Sequence, residues 1–245
     1  MKVAALYDIH GNLPALEAVL AEPDVRAAGR IVVGGDLVTG PFPRETLEVL
    51  LELGFHAVLI RGNCERELVG PRHDGLWGRR TQWVAEQLSQ EQIERLLALP
   101  ESLSVDVDGH GPVLFCHASP RSDEEIITSR TPPALLREVA AQAHEPTIVI
   151  GHTHVQFDVD AGGTRYVNAG SVGMAYEGVA GAHWALLGDA IELRRTAYDV
   201  YEAGERIRAT GFPEPDEFVE TLVHPPSADE ATDYFERAAT ERGER

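Results

Sequence analysis

Residues 2–22 read KVAALYDIHGNLPALEAVLAE, and how that stretch divides decides the fold. KVAALY is a short apolar run of strand type, whereas LPALEAVLAE spaces its apolar residues with a helical period. Between them stand Asp8 and His10. Asn12 is placed as the N-cap of the helix, and Pro14 falls in its first turn, where a missing N–H costs little. The rhythm repeats, with RIVVGG before PRETLEVLLEL and HAVLI before a long insertion. Strand, polar turn and amphipathic helix in succession predict βαβ units and a mostly parallel sheet.

Residues 71–100 read as one or two helices, with Ser89 and Gln92 spaced as a capping box, projecting beside the C-terminal edge of that sheet and folding over whatever binds there. From residue 103 the pattern changes to strands joined by turns. Asp108-Gly109, Gly162-Gly163 and Gly188-Asp189 separate LSVDVDG from PVLFCH, VQFDVD from TRYVNA, and AHWALLG from AIELRRTAY. A second, largely antiparallel sheet is expected from these runs. Residues 199–211 read as a helix, and Ser227 with Glu230 opens another in ADEATDYFERAATER. The chain therefore divides into a body, 1–211, and an extension, 212–245. From Gly211 onward ten acidic residues face three basic ones. Tyr234, Phe235 and Ala238 form an expected docking stripe, toward the body or a second subunit of a homo-oligomer, with no part in catalysis.

Composition excludes several classes. With 43% hydrophobic residues in 245, the chain can bury a core without staples, and two cysteines are too few for a secreted disulfide scaffold. No apolar run approaches the ~18–20 residues of a membrane span, and the N-terminus enters a strand without a signal-peptide pattern, so a cytoplasmic protein with reduced thiols is expected. A net charge of -19 should repel duplex nucleic acid. A small anion can still be held where local positive charge dominates within a Debye length of ~8–10 Å.

The chemistry sits where strands end. Asp8 and His10 follow KVAALY, Asp36 follows RIVVGG, Asn63 follows HAVLIRG, His117 follows PVLFC, and His152 and His154 follow TIVIG. Ligands bind outside the carboxyl ends of strands in open α/β sheets, so these residues can converge. Two carboxylates, one amide oxygen and four imidazoles make a mixed N/O set suited to Mn, Fe or Zn. Each alone has a plainer reading: Asn63 as a left-handed turn residue beside Gly62, His117 as a core histidine bonded to a carbonyl.

The ordered set DIH at 8–10, GD at 35–36, GN at 62–63, His117 and GHTH at 151–154 resembles the calcineurin-like metallophosphoesterases, most of all their small bacterial members. The resemblance covers roughly residues 1–200. It implies a four-layer α/β/β/α sandwich of two mixed sheets, carrying the helical insertion near 71–100 and the C-terminal helical extension. It also implies two divalent ions: Asp8, His10, Asp36 and His154 around one, Asp36, Asn63, His117 and His152 around the other, with Asp36 bridging. Two such ions, two carboxylates and a bridging hydroxide leave about +1 to attract a phosphate inside an acidic protein. The expected activity is hydrolysis of small phosphoesters or nucleotides by that hydroxide. Asn12 and Arg61 are weaker candidates for phosphate contact.

Where protein phosphatases of this superfamily carry GDxVDRG and GNHE, this chain has GDLVTGP and GNCE, so Thr39, Gly40 and Cys64 stand in place of Asp, Arg and His. The loop NAGSVGMAY, 168–176, also lacks an arginine that relatives place after GSVG. Cys64 is expected to be a bystander at the position of the usual acid, pointing toward the leaving group. A neutral thiol is a poor acid near neutral pH, which favours diesters with good or strained leaving groups. Alternatives are a phosphomonoesterase, a dinucleoside polyphosphate hydrolase, or a non-catalytic metal- or nucleotide-binding scaffold.

Overall fold

The computed structural model describes residues 1–70 and 74–245, so the first three residues of the expected insertion, 71–73, lie outside it. Two five-stranded sheets stack face to face. The first has the order β10-β9-β1-β2-β3, built from Ile191–Thr196, Ala182–Leu187, Val3–Leu6, Arg30–Gly34 and Ala57–Ile60. The second has the order β4-β5-β6-β8-β7, built from Ser102–Val107, Gly111–Cys116, Thr147–Ile150, Arg165–Asn168 and Phe157–Asp160.

Strand alternation assigns the layers. Val3, Ala5 and Tyr7 face inward against Val113, Phe115, Val149 and Val167 of the other sheet, while Ala4 and Leu6 face outward into a helical layer. On the second sheet Leu114, Cys116, Ile148 and Ile150 face outward onto α7, Pro133–Ala140. Burying a side chain such as Phe115 stabilises the fold by about 1.5–3 kcal/mol. Tyr7 crosses the inner layer and donates its hydroxyl to the Val149 carbonyl at 2.9 Å, so the one polar atom there is satisfied. The result is the expected four-layer sandwich of mixed sheets.

Both sheets are less uniform than their local patterns suggest. The hairpin of β9 and β10 joins the first sheet, where β9 runs antiparallel to β1, instead of extending the second. The second sheet is half parallel, because β6 pairs in parallel with both β5 and β8, and β7 reaches the sheet only through β8. Local turn signals report hairpins, and they do so correctly at β4-β5, β7-β8 and β9-β10. They carry nothing about which distant strand a hairpin edge meets.

The first helical layer includes α1, Leu13–Ala21, α3, Pro43–Glu52, and the insertion helices α5, Gly75–Gln87, and α6, Gln90–Leu97. Asn12 caps α1 by accepting the Ala15 N–H, and the Ser89/Gln92 box opens α6 as its spacing predicts. Val84, Leu88, Ile93 and Leu96 are buried in the core outside the first sheet. The insertion thus extends this layer and does not project from the sheet edge. After β10 come α8, Val200–Arg208, α9, Pro215–Val223, and α10, Ala228–Glu241. Phe212, Phe218, Val219 and Leu222 enter the same outer core, so the acidic segment is packed on the body. On α10 the buried residues are Ala231, Thr232 and Ala239, whereas Tyr234 is 61% exposed; the docking face is rotated from the expected Tyr234, Phe235 and Ala238 stripe. Among the described residues no helix is long and apolar enough to cross a membrane.

Candidate metal centre

Five chain segments end on one spot. Asp8 and His10 leave β1, Asp36 leaves β2, Asn63 starts α4, Asn63–Glu67, directly after β3, His117 leaves β5, and His152 and His154 leave β6. The backbone there is tied across strands: the Asp8, His10 and Gly11 amides donate to the carbonyls of Gly35, Asp36 and Leu37. Of six non-glycine residues with positive φ among the described residues, five are Asp8, His10, Asp36, His152 and His154, at 47° to 66°. An L-residue in this region costs about 1–3 kcal/mol and persists only where surroundings over-determine it. Glycine would fit these turns without strain, yet each holds a side chain that can bind a metal.

The ligand atoms converge. His10 Nε2 and His154 Nε2 lie 3.1 Å apart, Asp8 Oδ1 lies 3.4 Å from His154 Nε2, and Asp36 Oδ1 lies 3.4 Å from His117 Nε2. Donors ~2.0–2.2 Å from one ion stand roughly 3.0–3.5 Å from each other, so these spacings match edges of a coordination shell. Asp8, His10 and His154 form one group and Asp36, His117 and His152 another. Asp36 faces both, with its Oδ2 3.8 Å from His10 Nε2. Asn63 Oδ1 reaches His117 Nε2 at 3.1 Å, while its Nδ2 donates to Glu67 at 3.1 Å, which fixes the oxygen inward.

Backbone carbonyls orient the rings. His117 Nδ1 donates to the Gly34 carbonyl at 2.9 Å and His154 Nδ1 to the Met174 carbonyl at 2.7 Å, so each presents Nε2 to the centre. Asp8 Oδ1 is buried without a hydrogen-bond partner, an arrangement that a cation would complete. The donor set and its spacing fit divalent transition ions.

Electrostatics agree. Burial would raise the carboxyls of Asp8 and Asp36, but the surrounding imidazoles outweigh it and hold both below the ordinary range. Burial and a neighbouring imidazole push His10 and His152 down to about 4, toward the neutral form that ligates. His117 is lowered by burial and lifted further by Asp36 and Asp8, to about 10, so a metal ion arriving there displaces a proton.

Three side chains sit differently from their expected roles. Asn12 is fully buried, donating to the Gly173 carbonyl at 2.8 Å and the Tyr198 hydroxyl at 3.1 Å, and is a cap and loop tie without room for phosphate. Arg61 turns away from the centre to the Leu97 carbonyl and Glu101. Cys64 is 1% exposed and its thiol donates to Asp36 Oδ2 at 2.9 Å, so it does not point toward a leaving group. Burial and the Asp36 charge push that thiol well up, which keeps it protonated in this bond.

Glu65 is the residue that sequence reading passed over. It is fully buried, and its carboxylate accepts the Asp36 and Gly62 amides at 2.9 Å each and the Leu37 amide at 2.8 Å. It therefore clamps the turn that presents Asp36 to the turn that presents Asn63. Glycine is required at 62, since a Cβ there would lie 2.2 Å from Asp36 Oδ1. Glu65→Ala should leave three buried amides without acceptors, each costing about 1–3 kcal/mol. The melting temperature of metal-free protein should fall by roughly 6 °C or more; a drop within about 2 °C would contradict the clamp.

Comparison with known proteins follows this geometry. Residues 1–188 match the family model of the calcineurin-like phosphoesterase superfamily domain. An uncharacterized protein of Methanocaldococcus jannaschii is 27% identical over 235 residues, covering 86% of this chain and 94% of its own. A metallophosphoesterase from Sphaerobacter thermophilus has a crystal structure similar to this one, at 25% identity and a TM-score of 0.71, covering 91% of this chain and 99% of that one. A hypothetical protein from Pyrococcus horikoshii shares the fold at 22% identity and a TM-score of 0.79, covering 92% and 99%.

Proposed function

The chain belongs to the calcineurin-like phosphoesterase superfamily, and from that premise we propose that it is a phosphoesterase using two divalent ions and preferring diesters to monoesters. The observation that carries this reading is the left-handed backbone at five of the seven ligand candidates, with their donor atoms drawn to coordination spacing. A scaffold that had lost its metal ions would have no reason to retain that strain. Asp8, His10 and His154 would hold one ion, Asn63, His117 and His152 the other, and Asp36 would serve both. Mn, Fe or Zn suits this donor set. Bound there, the ions supply Lewis acidity, lowering the pKa of a water to make the nucleophile and neutralising phosphate charge.

The chain's own residues set the rest. His117 and His154, each fixed through Nδ1 to a carbonyl, keep Nε2 aimed at the centre through turnover. No acid stands where the phosphatases of this superfamily have one. Cys64 is engaged with Asp36, and Gly40 cannot be an arginine, because a Cβ at 40 would lie 1.7 Å from the His10 carbonyl oxygen. Leaving groups that need a proton are therefore poorly served, which supports a preference for aryl or strained leaving groups over alkoxides.

Purified full-length protein loaded with Mn should hydrolyse bis(4-nitrophenyl) phosphate faster than 4-nitrophenyl phosphate, and 4-nitrophenyl phosphate with kcat/KM about 10²-fold or more above that for glycerol 2-phosphate, whose alkoxide would have to leave without a positioned acid. Chelation should abolish turnover and added metal should restore it. Turnover indifferent to chelation would refute the metal mechanism; a strong monoester preference would refute the diester reading, and glycerol 2-phosphate turned over as fast as 4-nitrophenyl phosphate would refute the missing-acid argument.

A further inference from the structure

The extension that the sequence sets aside as non-catalytic builds a wall close to the metal centre. Tyr176, on the loop after β8, stacks on the imidazole of His154 with ring centroids 4.8 Å apart and planes inclined by 27°. The same tyrosine lines a cavity of about 380 Å³ whose other walls come from α9, α10 and the turn between them: Thr221, Pro226, Glu230, Ala231, Tyr234 and Phe235. The Gly178 amide donates to the Pro226 carbonyl at 2.8 Å, which ties the Tyr176 loop to that turn. Tyr176 therefore borders the cavity and touches a ligand candidate of the metal centre.

Its chemistry is selective. Three aromatic rings line it, and Tyr234 and Phe235 meet edge to face at 5.4 Å. Tyr234 is 61% exposed, although Ala231, one turn before it on α10, is buried. Such rings stack on planar groups, and a volume of this size lies in the range of small-molecule sites. Among the described residues the lining holds no cation and one carboxylate, Glu230, whose Oε2 is taken by Ser227. A second phosphate would be repelled there, whereas an uncharged ring with N–H groups on its edge would be accepted.

We propose that this cavity binds the planar, uncharged aromatic group of the substrate, a nucleobase or an aryl ring, while the attached phosphate lies at the metal centre. The proposal rests on the phosphoesterase reading for the phosphate and on the cavity alone for the ring. It gives the C-terminal extension a role in choosing the substrate, and it disfavours long polyphosphates.

Calorimetric titration of Mn-loaded, full-length protein with adenosine 5'-monophosphate and ribose 5-phosphate isolates the ring, since both probes carry the same phosphate monoester. The ring-bearing probe should bind about tenfold tighter or more, as expected for stacking on aromatic side chains. Tyr234→Ala and Phe235→Ala should each erase much of that ratio, while Tyr201→Ala, which removes an exposed tyrosine from α8, should preserve it. Equal affinities in the parent protein, no measurable binding of either probe, or a ratio that survives both α10 variants would overturn the cavity assignment. A concentration-dependent dimer that Tyr234→Ala dissolves would assign the surface to self-association and overturn it as well. A full ratio in a protein that hydrolyses no nitrophenyl ester would instead overturn the phosphoesterase reading and keep the cavity.

Discussion

Asp36→Asn should lower metal-dependent turnover at least about 10³-fold and remove about one ion per chain, while leaving a folded protein. The carboxylate stands between both ligand groups, with Oδ1 3.4 Å from His117 Nε2 and Oδ2 3.8 Å from His10 Nε2. Its Oδ1 also accepts the Cys64 amide at 3.0 Å. Asparagine keeps the volume and one oxygen, so it can preserve that bond. It cannot supply charge to two sites at once. Two double charges ~4 Å apart repel by about 4 kcal/mol even at the dielectric constant of water, and more in a buried site. Without a shared anion, the second ion should bind about three orders of magnitude more weakly, and an activated nucleophile needs both. Elemental analysis of metal-loaded protein and turnover of bis(4-nitrophenyl) phosphate provide the measurement, with a thermal melt to show folding. A variant with two ions and undiminished turnover would remove the basis for the two-metal reading.

How much of this was legible in the sequence follows from what each feature depends on. The seven ligand candidates could be found because the strand-end rule is a local pattern with a global consequence: each βα or ββ junction delivers its first polar residue to the same sheet edge. Alternation along KVAALY fixes which residues share a face, but a run that is apolar on both faces does not tell which of them meets the other sheet and which the helices. The placement of β9 beside β1 was not, because pairing over some 180 residues leaves no local trace. The rotation of Cys64 onto Asp36 depends on α4 starting at Asn63, a position that reads in the sequence as a turn residue. Glu65 was visible in GNCE, but a glutamate in the first turn of a helix reads as a surface residue until the facing amides are seen. Left-handed φ values at five aspartates and histidines left no signal either, since glycine marks such turns in sequence and these positions are not glycine. Tyr176 lay in a quoted loop, and only the tertiary stack against His154 identifies it.

Deleting residues 212–245 should abolish cooperative folding, a larger effect than is expected of an extension that only docks on a body already folded. Phe212, Phe218, Val219 and Leu222 are each at most 5% exposed and pack in the core of the first helical layer. At about 1.5–3 kcal/mol apiece their burial is worth roughly 6–12 kcal/mol, comparable with the whole stability of a typical domain, about 5–15 kcal/mol. Their partners would be stranded as well. Trp83 meets Phe212 edge to face at 5.5 Å, and the Arg80 guanidinium lies 5.0 Å over the same ring while donating to the Pro213 and Glu214 carbonyls. A shorter deletion, 224–245, separates this contribution from that of α10. That helix and the residues after it hold the segment after His117 through Arg130 with Asp229, Arg245 with the Ile126 carbonyl, and the Ile126 amide with Glu244. The ion pair is exposed and contributes little, and the two part-buried hydrogen bonds are worth about 0.5–1.5 kcal/mol each, so the shorter variant should fold and melt several degrees lower. It should keep kcat for methyl 4-nitrophenyl phosphate within about tenfold, because no ligand candidate lies in α10, while KM rises with the loss of the Tyr234 and Phe235 walls. Circular dichroism melts of both truncations provide the test. A 212–245 deletion that melts cooperatively within about 5 °C of the full chain would show that the core closes without α9, and that the acidic charge of the extension, not its four buried apolar side chains, describes its role.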